Sequence, residues 1–343
     1  MTAGQCWRVF GVCALAAAWA LSAFPAHAQS VEQFYSGKTI SLIAPADPGG
    51  SYDMHLRVMA RHIGKFIPGR PNAIVQNMLG AGGLRASNYV YERAPQDGTV
   101  LGMPVQENVI ADVIGGSEVR FRISDFNWIG RVTASADTIV VWHTLGVRSI
   151  DDARQKELIV GATGPASGTS LYPWVLNSVL GTRFKVITGY KHTDMLLAVE
   201  RGETHGAFSS ITIIRTVAPT WFPQMKVYPI VMIAPERVPE FPDVPTLVEL
   251  GQTPEDRQVL AIFASATTVG RSIMTTPRVP RDRLAALRAA FDAMLKDPEF
   301  KADFAKTRTE FAPMSGETLQ GFIEQIRTVS SEVLSRARAA ARR

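Results

Sequence analysis

The stretch APADPGGSYDMHLR, from Ala44 to Arg57, holds the clearest local indication of the fold. In it an apolar, strand-like run ends at Pro48-Gly49-Gly50, and a helix-like pattern begins almost at once. Successive glycines carry a conformational cost, which chains accept where the backbone itself must approach a partner. The stretch therefore predicts a strand, a glycine loop and a helix, with the loop's backbone facing a ligand.

Outward from this stretch, short strand-like runs alternate with helix-length segments for most of the chain. This alternation is typical of parallel α/β sheets, and because it restarts beyond Asn127 without a low-complexity linker, two similar α/β units are expected. The predicted strands are Thr39–Ala44, Ala73–Gln76, Val100–Pro104, Ala136–Trp142, Leu158–Ala162, Lys185–Thr188, Gly206–Ser209 and Val227–Ile233.

Helices are predicted where apolar residues recur every three or four positions, as at Leu56, Met59 and Ile63 after the glycine loop. Near the C-terminal end, Ser315 is expected to cap one long helix that runs through Val333. The other predicted helices include Leu84–Glu92, Thr169–Leu180 and Asp194–Arg201.

The N-terminus has the pattern of a secretory signal peptide. Val9–Phe24 is almost wholly apolar, and Ala26-His27-Ala28 supplies small residues for cleavage after Ala28. A membrane anchor is the alternative, but the run is shorter than the ~20 residues that a spanning helix needs. The protein is therefore expected in a bacterial periplasm. Both cysteines, Cys6 and Cys13, lie in the leader, which excludes disulfides and thiolate chemistry from the mature chain.

The charge balance argues against nucleic acid as a partner. The chain has 36 Lys and Arg against 31 Asp and Glu, a formal net charge of +5, and the basic residues are mostly interleaved with acids. An exported protein with dispersed basic residues rarely meets nucleic acid, so a solvated surface with a mild bias toward small anions is expected.

Several catalytic motifs are missing from the sequence. It contains no G-x-S-x-G, Walker or H-E-x-x-H motif. His55 and His62 are seven residues apart, but no carboxylate is placed by spacing to complete a metal site with them. No catalytic residue, metal or cofactor is therefore expected.

Three glycine-rich turns follow predicted strands, at Pro48–Ser51, Gly80–Gly83 and Ala162–Ser170. In open parallel sheets, ligands bind beyond the carboxyl ends of the strands, where helix N-termini offer unpaired N–H groups to an anion. The alternative is that these glycines only tighten turns. Three such loops on one scaffold favour anion binding, and a few charge-assisted hydrogen bonds would suffice without any salt bridge.

Four blocks of the sequence resemble one known family. They are FYSGKTISLIAPADPGGSYDMHLRVMARHIGKFIPG (Phe34–Gly69), IVQNMLGAGGLRASNYVYERAPQDGTVLG (Ile74–Gly102), PDVPTLVELG (Pro242–Gly251) and VPRDRLAALRAAFDAMLKDPEF (Val279–Phe300). Together they are similar to the periplasmic substrate receptors of tripartite tricarboxylate transporters, the Bug receptors.

The resemblance implies the two-lobed α/β fold of type II periplasmic binding proteins. Each lobe is then a mainly parallel sheet flanked by helices, with the ligand cleft between the lobes and closure upon ligand. After the signal peptide at 1–28, the first lobe is expected to comprise 29–133 plus 266–343, and the second 134–265. The segments Phe126–Trp128 and Arg271–Pro280 are expected to mark the crossings between lobes.

The resemblance also implies which residues contact the ligand. The second-lobe loop departs from the family pattern G-x-G-T-x-x-H, since Ala166 and Tyr172 stand at its first glycine and its histidine. His192 and His205 replace a glycine and an acid of a further motif, which favours a second anionic group on the ligand; alternatively, His205 is a packed strand residue. The implied ligand contacts are Pro48, Gly49, Gly50, Ser51, Tyr52, Gly168, Thr169, Ser170, Tyr190, Lys191, His192 and His205.

The expected function is that of a non-enzymatic, monomeric receptor that captures a small organic carboxylate and delivers it to membrane permease subunits. One alternative is a receptor that signals to a membrane sensor. Another is a hydrolase on the same fold that uses Ser167 or Ser170. Arg57 is expected to pair with a neighbouring acid rather than with the ligand, and Arg85 to line the cleft.

Overall fold

A computed structural model describes residues 29–115, 118–164, 167–234, 236–326 and 328–342 of the chain. The predicted signal peptide lies outside the described residues, as does Ala166 of the glycine loop Ala162–Ser170, which is called the second glycine loop below. Two β-sheets, flanked by helices, organise the rest.

The strands form one sheet of six and one of five. The first sheet has the order β11-β4-β10-β3-β1-β2, and the second has the order β7-β6-β8-β5-β9. The strands are β1 Thr39–Ala44, β2 Asn72–Asn77, β3 Val100–Gly102, β4 Asn127–Thr133, β5 Asp137–Trp142, β6 Leu158–Ala162, β7 Phe184–Thr188, β8 Gly206–Ser210, β9 Val227–Ile233, β10 Arg271–Thr275 and β11 Met314–Ser315.

Helices separate most of the strands. They are α1 Val31–Tyr35, α2 Ser51–Ile63, α3 Leu84–Glu92, α4 Asn108–Ile114, α5 Ile150–Gln155, α6 Gly168–Leu180, α7 His192–Glu200, α8 Ile211–Val217, α9 Pro254–Val269, α10 Arg281–Lys296, α11 Pro298–Ala305, α12 Gly316–Ile326 and α13 Ser331–Ala340. No helix among the described residues is both long and apolar enough to cross a membrane.

The direction of the strands fits the predicted α/β class. In each sheet one strand, β10 or β5, is antiparallel to both of its neighbours. The ladders β1–β2 and β1–β3 are parallel, as are β6–β7 and β6–β8. Strand β10 is antiparallel to both β3 and β4, and β5 is antiparallel to both β8 and β9. The first residues of β10 and β5 therefore lie at the sheet edges where the neighbouring strands end.

A contiguous apolar core includes residues from both sheets. Trp128 on β4 is fully buried in it, together with Ile139 on β5 and Val160 on β6. Helices α9 and α13 pack against each other and against both α4 and α6, which ties the C-terminal end of the chain into this core. The division into lobes at 133/134 and 265/266 remains a prediction.

One expectation about elements needs correction, and one helix was missed. The long C-terminal helix is wrong: α12 ends at Ile326, and α13 begins after Ser330, whose hydroxyl accepts a hydrogen bond from Val333 N–H at 3.2 Å. The segments expected as crossings contain the start of β4 and the whole of β10, and the chain passes from β4 to β5 within residues 134–136; their role as crossings between lobes stays a prediction. Helix α9 was not predicted, although Thr253 and Asp256 form a capping box at its start.

Candidate ligand-binding site

The first glycine loop connects β1 to α2 at the carboxyl edge of the first sheet. Gly49 has a φ of +83°, a left-handed conformation that favours glycine, and Gly50 N–H closes a turn on Asp47 O at 2.9 Å. Gly50 is the N-cap of α2 and has no side chain to bond the first turn. The N-terminal N–H groups of this 13-residue helix are thus available to an anion.

Asp53 holds this loop in place through hydrogen bonds. Its buried carboxylate accepts hydrogen bonds from Gly49 N–H, Asn77 Nδ2 and Arg57 Nε, each at 2.8 Å. Burial raises the pKa of Asp53, but these three hydrogen bonds outweigh it and hold the pKa below its ordinary value. The expected pairing of Arg57 with a neighbouring acid is confirmed.

Replacing Asp53 with asparagine should loosen the loop. The amide keeps the shape but loses the ion pair and one acceptor, so we expect urea unfolding to show a loss of about 2–3 kcal/mol at pH 7. Because the pKa of Asp53 is lowered in the fold, this difference should shrink as the pH falls below the ordinary range of aspartate. The half-exposed Arg57→Gln variant should lose much less stability, because solvent screens an exposed ion pair. Equal losses in the two variants would contradict this role of Asp53.

Arg271, the first residue of β10, brings a buried cation to the same loop. Its guanidinium lies 4.1 Å from the ring centroid of Tyr52, and Nη2 lies 3.4 Å from Ser51 Oγ. Nη1 donates to Gln106 Oε1 at 3.1 Å, while the buried Nε has no acceptor. Arg271 is 8% exposed and pairs with no carboxylate among the described residues. A buried guanidinium with a spare donor beside an uncapped helix is suited to hold a carboxylate.

Gln106 connects this cation to two acids. Its Nε2 donates to Asp137 Oδ2 at 2.7 Å and to Glu107 Oε1 at 3.2 Å, and its backbone N–H donates to the Tyr52 hydroxyl at 3.2 Å. Asp137 begins β5 in the second sheet and also accepts from Ser135 Oγ at 2.7 Å. The amide of Gln106 therefore links the first glycine loop to the second sheet.

Burial shifts the pKa values of both acids upward. The pKa of Glu107 rises to about 7, first because of burial and then because Asp137 lies near. The pKa of Asp137 is raised by its burial, against the hydrogen bond from Ser135 and the charge of Arg271. Close to neutral pH, Glu107 can thus exchange a proton with solvent.

The second glycine loop leads into α6 and approaches Glu107. A Cβ placed on Gly168 would lie 2.7 Å from Glu107 Oε1, so a larger residue at this position would displace that carboxylate. The N-cap Ser167 makes no capping hydrogen bond, and its hydroxyl donates instead to Gly164 O at 2.7 Å. The structure thereby brings Gly168 and Ser51 to the two ends of one polar cluster, which comprises Arg271, Gln106, Glu107 and Asp137 and is called the junction cluster below.

The hydroxyls of this loop shape the backbone. Ser170 Oγ donates to Gly164 O at 2.8 Å, and Thr169 Oγ1 accepts from Thr163 N–H at 2.9 Å. Among the described residues, neither Ser167 nor Ser170 is hydrogen-bonded to a histidine or a carboxylate. Neither serine therefore has the base that a nucleophile requires.

Tyr172, at the position of the family's histidine, is a core residue. Its hydroxyl donates to Phe263 O at 3.1 Å, and its ring stacks on Phe208 with centroids 4.7 Å apart. The departure from the family pattern thus adds packing beneath the loop.

Tyr190, Lys191 and His192 lie at the same edge of the second sheet as the glycine loop. Tyr190 N–H donates to Ala162 O at 3.1 Å, and the His192 ring lies 3.0 Å from Ser209 Oγ through Nε2. Burial lowers the pKa of His192. The ring is then uncharged near neutral pH, which weakens the expected attraction to a second anionic group. Ligand contact by these three residues remains a prediction.

His205 is not brought to this edge. It precedes β8, its ring Nδ1 accepts from Ile159 N–H at 3.0 Å, and its own N–H donates to Ile159 O. Ile159 lies near the start of β6, whereas the glycine loop follows the end of that strand. The structure thus favours the alternative reading of His205 as a packed strand residue.

The remaining glycine loop, at Gly80–Gly83, packs beside the junction cluster without joining it. Asn108 Nδ2 donates to Gly82 O at 3.1 Å, and a Cβ on Gly83 would clash with the Val105 side chain. Arg85 is exposed and reaches Leu79 O at 3.4 Å. The structure therefore gives this loop a packing role.

One group of potential metal ligands was not expected. Ligand atoms of His62, Asp297 and Glu299 all lie within 4.8 Å of one another, so the expectation that no carboxylate is placed to complete a metal site is wrong for His62, although His55 is not part of this group. Glu299 is already paired with Lys65 at 2.6 Å, and His62 Nε2 lies 3.2 Å from Asp303. Lys65 therefore neutralises Glu299, and the group lies at the C-terminal end of α2, away from the junction cluster.

The comparisons with known proteins agree with this architecture. No family model matches the chain. A UPF0065 protein of Cupriavidus necator, encoded in the gbd 5′ region, is 26% identical over 252 residues, which are 70% of this chain and 72% of that protein.

Solved structures of solute-binding proteins superpose on most of the chain. A TctC solute-binding protein from Polaromonas has a TM-score of 0.64 at 19% identity, covering 88% of this chain and 98% of that one. BugD also gives 0.64, at 17% identity over 89% and 98% of the two chains. The chain has the fold of the TctC and Bug solute-binding proteins.

The resemblance inferred from the sequence is thereby confirmed, together with the type II periplasmic binding-protein fold. MatC of Rhodopseudomonas palustris, with bound malate, gives a TM-score of 0.62 at 19% identity over 89% of this chain and 99% of its own. These neighbours are binding proteins rather than enzymes.

Proposed function

We propose that the protein is a non-enzymatic receptor for a small organic carboxylate. The observation that carries the proposal is Arg271, a buried guanidinium whose Nε has no acceptor, beside the N-terminus of α2. The malate bound to MatC supports the ligand class, because that protein shares the fold. The predicted contacts Pro48–Tyr52 and Gly168–Ser170 lie at either end of the junction cluster.

The magnitudes are sufficient for micromolar binding. A charge-assisted hydrogen bond contributes about 1.5–3 kcal/mol, and a helix N-terminus up to about 2 kcal/mol. Micromolar affinity corresponds to about 8 kcal/mol, so two bonds from Arg271, two from α2 N–H groups and one from the second loop would reach it after ordering costs.

Closure of two lobes over the ligand is the proposed mechanism of capture. The first glycine loop and the second sheet are connected through Gln106, whose hydrogen bonds to Tyr52 and Asp137 can be replaced by hydrogen bonds to water. An open form would admit the acid, and contacts from both sides would then stabilise the closed form by population shift.

We further propose that the protein is exported after cleavage at Ala28, acts in the periplasm as a monomer and delivers its ligand to tripartite permease subunits. The resemblance to transporter receptors supports this assignment. Signalling to a membrane sensor is the alternative. Deletion of the gene should abolish uptake of the bound acid; unchanged uptake with an altered transcriptional response would favour signalling.

A thermal-shift screen of small organic acids tests the ligand class. At one hundred times its Kd, a ligand stabilises the fold by about 2.7 kcal/mol, which raises Tm by about 4 °C for a chain of this length that unfolds as one unit. The matched control for each hit is its primary amide, which lacks the anion and should give no shift. Stabilisation by neutral or cationic solutes, with none by carboxylates, would overturn the ligand class. Mass spectrometry of ligand retained through purification would identify the acid.

A further inference from the structure

Glu107 is a carboxylate with unused hydrogen-bonding capacity. Among the described residues it forms no ion pair, and its side chain accepts from Gln106 Nε2 and from its own backbone N–H. It is only partly buried, and the glycine at position 168 places no side chain against its Oε1. An ionised carboxylate can accept about four hydrogen bonds, so about two sites remain for a ligand.

The charges around Glu107 favour a cationic group on that ligand. Asp137 on β5 adds a second acid, and in the described part of the chain Arg271 on β10 is the one cation that acts on either of them. The other titratable groups facing Glu107 are the phenols of Tyr52 on α2 and Tyr172 on α6. Together with Glu107 and Asp137, a dicarboxylate ligand would place four carboxyl groups around the guanidinium of Arg271. An amino acid would instead add one positive and one negative charge.

We propose that Glu107 is a specificity-determining residue that pairs with a protonated amine of the ligand, so that the cargo is an aminocarboxylate. This rests on the proposed function, because Arg271 and the N-terminus of α2 hold the ligand's carboxylate. Gln106 lies between the two charges and donates to Glu107 while accepting from Arg271, which keeps the cationic and anionic halves of the site apart.

The pairing has a pH dependence of definite sign. Because the pKa of Glu107 is about 7, its ionised fraction rises about tenfold between pH 6 and pH 8. Affinity for an aminocarboxylate should therefore rise about tenfold over that range, and affinity for a dicarboxylate should fall. His55, near Arg271, has a pKa lowered to about 4 by burial and stays neutral throughout.

The test is calorimetric titration of the full mature chain at pH 6, 7 and 8. The probes are the 2-amino and ω-amino derivatives of three- to five-carbon carboxylates, and the dicarboxylates of equal length. In the wild type we expect the best amino ligand to bind at least tenfold more tightly at pH 8 than the dicarboxylate of its length. Glu107→Gln should lose that preference and its pH dependence. The exposed Glu310→Gln variant makes the same charge change elsewhere and should keep both.

The outcomes separate this inference from the proposed function. Tighter binding of dicarboxylates, unchanged in ratio by Glu107→Gln, would overturn the role of Glu107 while leaving a carboxylate receptor. Preference for a neutral amide over the amine would also overturn the pairing. If no acid binds, with or without an amine, the proposed function fails instead. Thermal unfolding of Glu107→Gln should match or exceed the wild type at pH 8, because the variant removes a carboxylate that burial disfavours.

Discussion

Replacement of Arg271 by glutamine is expected to weaken carboxylate binding about a hundredfold or more. Truncating one partner of a buried, hydrogen-bonded charge pair typically costs 2–5 kcal/mol, and Arg271 is the cation beside the N-terminus of α2. Calorimetric titration with the best acid from the thermal-shift screen measures the change. Arg271→Lys keeps the charge but loses the planar fork, so it should recover only part of the affinity.

Arg131 provides the matched control for this substitution. It lies on the neighbouring strand β4 and is also 8% exposed, but it donates to two backbone carbonyls, Ala312 O at 3.1 Å and Thr268 O at 2.5 Å. Arg131→Gln should therefore destabilise the fold by about 1–3 kcal/mol and leave affinity within about twofold. Equal affinities of the two variants, both folded, would mean that Arg271 does not hold the ligand.

The local architecture of the first glycine loop was predictable because its signals are local. The predicted strand Thr39–Ala44 matches β1 residue for residue, and α2 begins directly after Gly50. An apolar run, paired glycines and a helical period all lie within twenty residues or so, where backbone preferences decide the conformation. The prediction of Leu84–Glu92 as a helix matches α3 for the same reason.

The junction cluster was not predictable, because long-range pairing assembles it. Arg271 and Ser51 are 220 positions apart in the sequence, and Gln106 and Arg271 are 165 apart. They meet only because β10 inserts antiparallel between β3 and β4, which places the start of β10 where those strands end. The sequence RSIMT carries no periodic signal for that insertion.

The same assembly changes the expected basis of recognition. The glycine loops suggested that backbone N–H groups alone would hold the acid. The structure adds a buried guanidinium at one end of the junction cluster and a partly buried carboxylate at the other. Backbone donors attract any small anion, so the side chains that the sequence did not reveal are the ones that can distinguish one acid from another.

Replacement of Gly49 by valine separates the contribution that the α2 N-terminus makes to binding from the contribution of Arg271. A φ of +83° is strained for a β-branched residue, although a Cβ at Gly49 would meet no atom within 4 Å. The backbone should therefore shift, move Gly49 N–H away from Asp53 and displace the first turn of α2. We expect a loss of about 1–2 kcal/mol in stability and at least about thirtyfold in affinity.

Gly146 provides the matched control, because it has similar backbone strain but lies away from the proposed site. It has a φ of +70° and open space at its Cβ, so Gly146→Val should carry a similar cost in stability. It follows β5 at the edge of the second sheet that also holds His205, far along the strands from Asp137. Affinity should be unchanged in Gly146→Val. If both valine variants bind the acid as the wild type does, the α2 N-terminus takes no part in holding it. Arg271 must then bind the acid without the N–H groups of that helix.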